Sequence, residues 1–178
     1  MLAQVLLVPG LYDSGPGHWQ SLWHAAHPEY HRVVQRDWVN ADRAEWVEAL
    51  NRSIDAIGGP VVLAAHSLAC ITVAHWARTH GSSRVTGALL VAPSDVELPT
   101  FPAGTTGFAP VPLEPLPFPS ILVASSDDEY ITLQRARELG AAWRSRLVEV
   151  GAAGHINTDA GFGPWPEGEA LLEQLRRG

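Results

Sequence analysis

VVLAAHSLACITVAHW, residues 61–76, is an apolar strand that stops at a serine and continues as a helix. Ala65-His66-Ser67-Leu68-Ala69 within it has the layout of a nucleophile elbow, with alanine at both positions where glycine is usual. In such an elbow the serine sits on a strained strand-to-helix turn that pushes its hydroxyl out at the carboxyl edge of a sheet. The flanking small residues let helix and strand approach closely. Each alanine adds one methyl to that approach, the smallest departure available.

Working outward from the elbow, strand and helix patterns alternate. Gln4 to Val8 reads as a strand broken by Pro9-Gly10, followed by a breaker-rich loop and a helix from His18 to about Ala26. Arg32 to Gln35 is a second strand. Asp42 caps a helix to about Ile57 that carries Trp46, Leu50 and Ile54 on one face. Pro60 to Ala65 is the third strand, and the helix after Ser67 runs to about His80. Val85 to Ala92 and Ser120 to Ser125 are strands, Ile131 to Trp143 a helix, Leu147 to Val150 the sixth strand, and Glu167 to Arg177 the closing helix. Apolar strands that are each followed by a helix predict an α/β fold, a doubly wound parallel sheet of about six strands with helices on both faces. Residues 93–119 hold eight prolines and read as a surface crossover or as a flap over the site.

A serine hydroxyl is a poor nucleophile at neutral pH and needs a histidine to take its proton and a carboxylate to orient that histidine. The chain offers Ser67, then SSDDEYI (residues 125–131) after the fifth strand, then GAAGHIN (residues 151–157) after the sixth. Each group follows a different parallel strand, where ligands and catalytic groups converge in open α/β sheets. Asp128 is the preferred acid, because Ile131 stands three residues on as a packed aliphatic; Asp127 is the competing choice, otherwise expected to cap the turn or the next helix. His155 is the expected base. The oxyanion formed on attack needs preorganised N–H donors. Those expected are the backbone N–H groups of Leu68, directly after the nucleophile, and of Leu11, after the Pro9-Gly10 turn.

Length and composition bound the rest. A chain of 178 residues, 46% hydrophobic and 17% charged, fits one domain spanning 1–178. The longest apolar runs fall well short of the ~18 residues of a membrane span, and Met1 to Gln4 lacks the basic start of a secretory signal. A lone cysteine, Cys70, suits a reducing compartment, so a cytoplasmic location is expected. A net charge of −7 with no basic cluster argues against nucleic acid and anionic membranes as partners. His24, His27 and His31 have loosely metal-like spacing, but only His24 and His27 could share a helical face, so no metal is expected.

The chain resembles the small serine hydrolases typified by retinoblastoma-binding protein 9, and more closely their bacterial relatives. The resemblance rests on VPGLYDSGPGHWQSLW (residues 8–23), AHSLAC (65–70), SSDDEYI (125–131) and GAAGHINTDAGFGPWPEG (151–168), and covers nearly the whole chain. It implies a lidless α/β-hydrolase core with Ser67, Asp128 and His155 as the triad. The chain departs from the pattern at Ala65 and Ala69, and at Glu129, where proline is common. The retinoblastoma-pocket motif L-x-C-x-E is absent, since residues 68–72 are Leu-Ala-Cys-Ile-Thr, so that partner is not carried over.

Further residues are candidates for contact with substrate. His18, Trp19, Gln20 and Trp23 either line the mouth of the site or pack the first helix on the sheet; Trp165 either stands beside His155 or anchors a turn; Ser14 lies close to the oxyanion loop. The expected activity is cofactor-free hydrolysis of a small ester, thioester or amide, with little chain available for a lid. The alternative is a binding protein on an inactive hydrolase scaffold.

Overall fold

Side chains alternate across a strand with a period of two, and here that alternation sorts the apolar residues into two cores. In the computed structural model, which describes residues 2–81 and 83–178, strands β1 (Gln4–Val8) and β3 (Val61–His66) send Leu6, Val8, Leu63 and Ala65 to one face. Val5, Leu7, Val62 and Ala64 go to the other. The first face is covered by helices α2 (Arg43–Asp55), α3 (Leu68–Thr79) and α4 (Leu133–Trp143). The second is covered by α1 (Trp19–Ala26) and α5 (Pro166–Arg177).

With β2 (His31–Arg32), β4 (Val85–Val91), β5 (Ser120–Ala124) and β6 (Arg146–Glu149), the strands form one six-stranded sheet in the order β2-β1-β3-β4-β5-β6. Every pairing is parallel, as the sequence predicts for a doubly wound α/β fold. β3 is buried along its whole length, at the centre of the sheet. No helix among the described residues is long and apolar enough to cross a membrane.

The structure departs from the sequence reading at three elements. The second strand is His31–Arg32 and not Arg32 to Gln35, because it is an edge strand that pairs only with Leu6 and Leu7. Helix α4 begins two residues later than Ile131: the Thr132 hydroxyl accepts from the Arg135 N–H as its cap, which frees Ile131 to enter the core. The Pro-rich segment 93–119 is more than a surface crossover. Phe108, Val111 and Phe118 are buried against α2 and α3, while Phe101 and Pro102 form a wall of the site cavity.

Candidate active site

Ser67 sits between β3 and α3 at φ 59° and ψ −126°, a conformation that a non-glycine residue holds only where its surroundings enforce it. Its N–H donates to the Val91 carbonyl (3.0 Å), so the turn is tied to the end of the neighbouring strand β4. Ala65 and Ala69 are both fully buried there, so the elbow accommodates the two extra methyls. Gly10 fits beneath it: a Cβ at that position would stand 2.8 Å from the His66 carbonyl and 2.9 Å from the Ser67 Cβ. Glycine is therefore what lets the loop after β1 reach the elbow.

The three candidate triad residues meet. His155 Nε2 lies 2.8 Å from Ser67 Oγ, and His155 Nδ1 lies 2.9 Å from each carboxylate oxygen of Asp128. The Asp128 side chain is fully buried and also accepts from the Tyr130 N–H (2.9 Å). A carboxylate at Nδ1 keeps the proton on that nitrogen and leaves Nε2 as the acceptor facing the serine.

Asp127 has different work from the cap expected of it. Its Oδ1 accepts from the Gly154 N–H (2.8 Å) and the Ser125 hydroxyl (2.8 Å), lacing the loop after β5 to the loop that carries His155. Those donors hold its carboxyl below the usual range. Helix α4 is capped by Thr132 instead.

Ser67 opens onto a cavity of about 340 Å³, within the usual size range for small-molecule sites. Leu11 lines it, and Leu68, the first residue of α3, has no carbonyl a turn earlier in the helix to receive its N–H. Of the residues read as contacting substrate, only His18 lines the cavity. Ser14 is buried and donates its hydroxyl to Gln20. Trp19 is fully buried, its indole N–H donating to the Ile156 carbonyl (3.0 Å). Trp165 is buried among Trp19, Trp23 and Phe162. The tryptophans of the first and last motifs thus pack on each other behind the site and fix the His155 loop from below.

Three residues have parts that the sequence reading does not assign. Gln20 donates to the Val8 carbonyl (3.1 Å) and the Ala64 carbonyl (2.9 Å), pinning α1 and its preceding loop to the ends of β1 and β3. His66 donates from Nε2 to the His155 carbonyl (2.9 Å), and burial pushes its imidazole well below the ordinary range, so it stays neutral. Ser94, just past β4, lies with its hydroxyl 2.8 Å from Ser67 Oγ. His18 is also neutral. Burial, followed by the nearby Arg32 charge, lowers its pKa to about 4, and its Nδ1 accepts from the Gln20 N–H as the cap of α1.

A family model described as serine hydrolase matches residues 5–174. Among solved structures, a protein from Pectobacterium atrosepticum described as a YdeN-like hydrolase is 36% identical, with 97% of this chain and 90% of that one covered and a TM-score of 0.83. The ydeN gene product of B. subtilis is 21% identical, covering 99% of this chain and all of that one, at a TM-score of 0.78. A thermophilic esterase from Thermogutta terrifontis shares the fold at 17% identity, covering 98% of this chain and 90% of that one, with a TM-score of 0.71. No curated protein matches the chain. The match across residues 5–174, with a 36% identical hydrolase along nearly the whole length, shows that the chain belongs to the serine hydrolase family.

Proposed function

We propose that the protein hydrolyses small carboxylic esters, thioesters or amides through an acyl-enzyme on Ser67, with His155 as base and Asp128 as its orienting acid. The observation that carries this reading is the unbroken hydrogen-bonded line from Ser67 Oγ, at the cavity, through His155 to the buried carboxylate of Asp128. In the first step Ser67 Oγ bonds to the substrate carbonyl carbon, its proton passes to His155 Nε2, and the carbonyl π pair moves onto oxygen. The N–H groups of Leu11 and Leu68 receive that oxyanion. Collapse expels the alcohol, thiol or amine, which takes the proton from His155. Water then repeats the sequence on the acyl-enzyme, releasing the acid and restoring Ser67. These steps use side chains and backbone only.

An open cavity without a helical cover suits short acyl groups, and the esterase among the structural relatives fits the same chemistry. Within the family we place the chain with the compact enzymes that retinoblastoma-binding protein 9 typifies, on its four motifs and without the retinoblastoma partner. Cys70, the centre of the half-motif, is wholly buried beneath the elbow. An inactive binding scaffold is the less favoured reading, because an unused serine would have no reason to keep a strained φ of 59° together with a paired histidine.

The test is intact-mass labelling with a small fluorophosphonate, on the native protein and on Ser67→Ala. The native protein alone gains the adduct mass, and Ser67→Ala hydrolyses a short ester roughly four to six orders of magnitude more slowly. Folded native protein that takes no label sinks the mechanism.

A further inference from the structure

We propose that Ser94 is a positioning residue for the nucleophile: its hydroxyl donates to Ser67 Oγ, holding that oxygen against His155 and stabilising the charge it gathers as its proton leaves. This rests on the reading of Ser67 as nucleophile. Counting protons fixes the direction of the bond. Among the described residues Ser67 Oγ has two hydrogen-bond partners, His155 Nε2 at 2.8 Å and Ser94 Oγ at 2.8 Å. The carboxylate of Asp128 keeps the imidazole proton on Nδ1, so the one proton of Ser67 goes to Nε2. The proton between the two serines then belongs to Ser94.

The fold delivers Ser94 to this position with little freedom. β4 runs parallel to β3 with Val91 opposite His66, so the residues just past its end lie beside the elbow. Ala92 takes φ 46°, a strained value for a residue with a Cβ, and its N–H donates to the Val123 carbonyl (2.9 Å). On the far side, the Asp95 N–H donates to the Tyr130 carbonyl (2.9 Å), and the Asp95 carboxylate lies 3.8 Å from the Arg135 guanidinium. Pro93 stiffens the link between these anchors. Ser94 itself is only 1% exposed yet lines the cavity.

A hydrogen bond to oxygen strengthens as the oxygen becomes negative. The Ser94 donor is weakest against the resting hydroxyl and strongest while the Ser67 proton is moving to His155. Once the bond to the carbonyl carbon has formed, Oγ is an ester oxygen and a poorer acceptor. Ser94 transfers no proton at any stage. Its contribution therefore falls on the acylation step, read in kcat/KM and in the rate of labelling.

The experiment measures fluorophosphonate labelling rates and the hydrolysis of a p-nitrophenyl acetate series for the native protein, Ser94→Ala, Ser94→Cys and Ser94→Thr. Ser94→Ala and Ser94→Cys slow labelling and lower kcat/KM about tenfold, and Ser94→Thr, which keeps the hydroxyl, restores both. Cysteine is nearly the size of serine and a weak donor, so it carries the test should the alanine variant fold poorly. A folded variant lacking the hydroxyl but within about twofold of the native protein in both labelling rate and kcat/KM overturns the proposal, as does a Ser94→Thr variant that restores neither. Native protein that takes no label on Ser67 removes the mechanism beneath it as well, an outcome distinct from both.

Discussion

Two adjacent aspartates show how one residue of register separates two roles. Asp128 faces His155 Nδ1 with both oxygens, whereas Asp127 turns to the Gly154 N–H and ties down the loop that holds the histidine. Asparagine at 128 removes the charge that fixes the tautomer, so Asp128→Asn is expected to lower kcat by roughly three to four orders of magnitude near neutral pH. Asparagine at 127 still offers an oxygen to Gly154, and Asp127→Asn should cost less than about tenfold. Steady-state kinetics on the two variants decide this; equal losses would mean that the acid has been assigned to the wrong neighbour. The sequence favoured Asp128 through Ile131, which is indeed buried in the core, but the duty of Asp127 emerged only when the β5 and β6 loops came together.

At the scale of elements, helix α5 is entered through an aromatic wedge. Trp165 stands at its N-terminus with φ 45°, and its ring lies across Gly168, where a Cβ would come within 2.2–2.4 Å of three ring carbons. Alanine there gains about 1 kcal/mol of helix propensity over glycine. The ring has nowhere to go, because Trp19, Trp23 and Phe162 surround it. Overpacking wins, and Gly168→Ala is expected to destabilise the fold by about 2 kcal/mol, a fall in Tm of roughly 4–8 °C by differential scanning calorimetry. An unchanged or raised Tm would show the wedge to be yielding. The helices themselves were legible in advance. Asp42 accepts from the Glu45 N–H as the predicted cap of α2, and Trp46, Leu50 and Ile54 all face the core. The tryptophans were not legible in the same way, since GHWQSLW and GPWP look alike as mouth or as core until the two segments are seen packed on each other.

For the molecule as a whole, buried neutral imidazoles couple stability to pH. Burial lowers His18 to about 4, His66 well below the ordinary range, and His75 below its ordinary value. In the unfolded chain all three titrate near ~6.5 and bind protons that the folded protein refuses. Below that pH the unfolded state therefore holds more protons, and stability falls as pH falls. Stability is fully present above pH ~6.5 and drains away from there towards pH ~4, with the His66 contribution extending lower. The carboxylates of Asp37, Asp42 and Asp127, held below their usual range by hydrogen bonds, add their loss only at the acid end, below about pH 4. Thermal melts between pH 7.5 and 4.5 should thus show a Tm that holds down to about pH 6.5 and then decreases; a flat profile across that range would contradict the neutral imidazoles.

What the sequence determined by itself is local: apolar strands that stop at chemistry-bearing loops, a serine at a strand-to-helix turn, an acid and a histidine after two later strands. Each of these is set by hydrophobic period, turn chemistry and caps acting within a few residues of one another. The tertiary structure alone decided the neighbours. The strand order β2-β1-β3-β4-β5-β6 puts the end of β4 beside the elbow, and so brings Ser94, which follows a proline in an otherwise uninformative Pro-rich stretch, within 2.8 Å of Ser67. It also assigned His18 to the cavity and Trp19 to the core, although the two are adjacent in the chain. Such choices depend on which surfaces meet when sheet, loops and helices pack together, and that long-range juxtaposition leaves no periodic or compositional mark along a single strand of sequence.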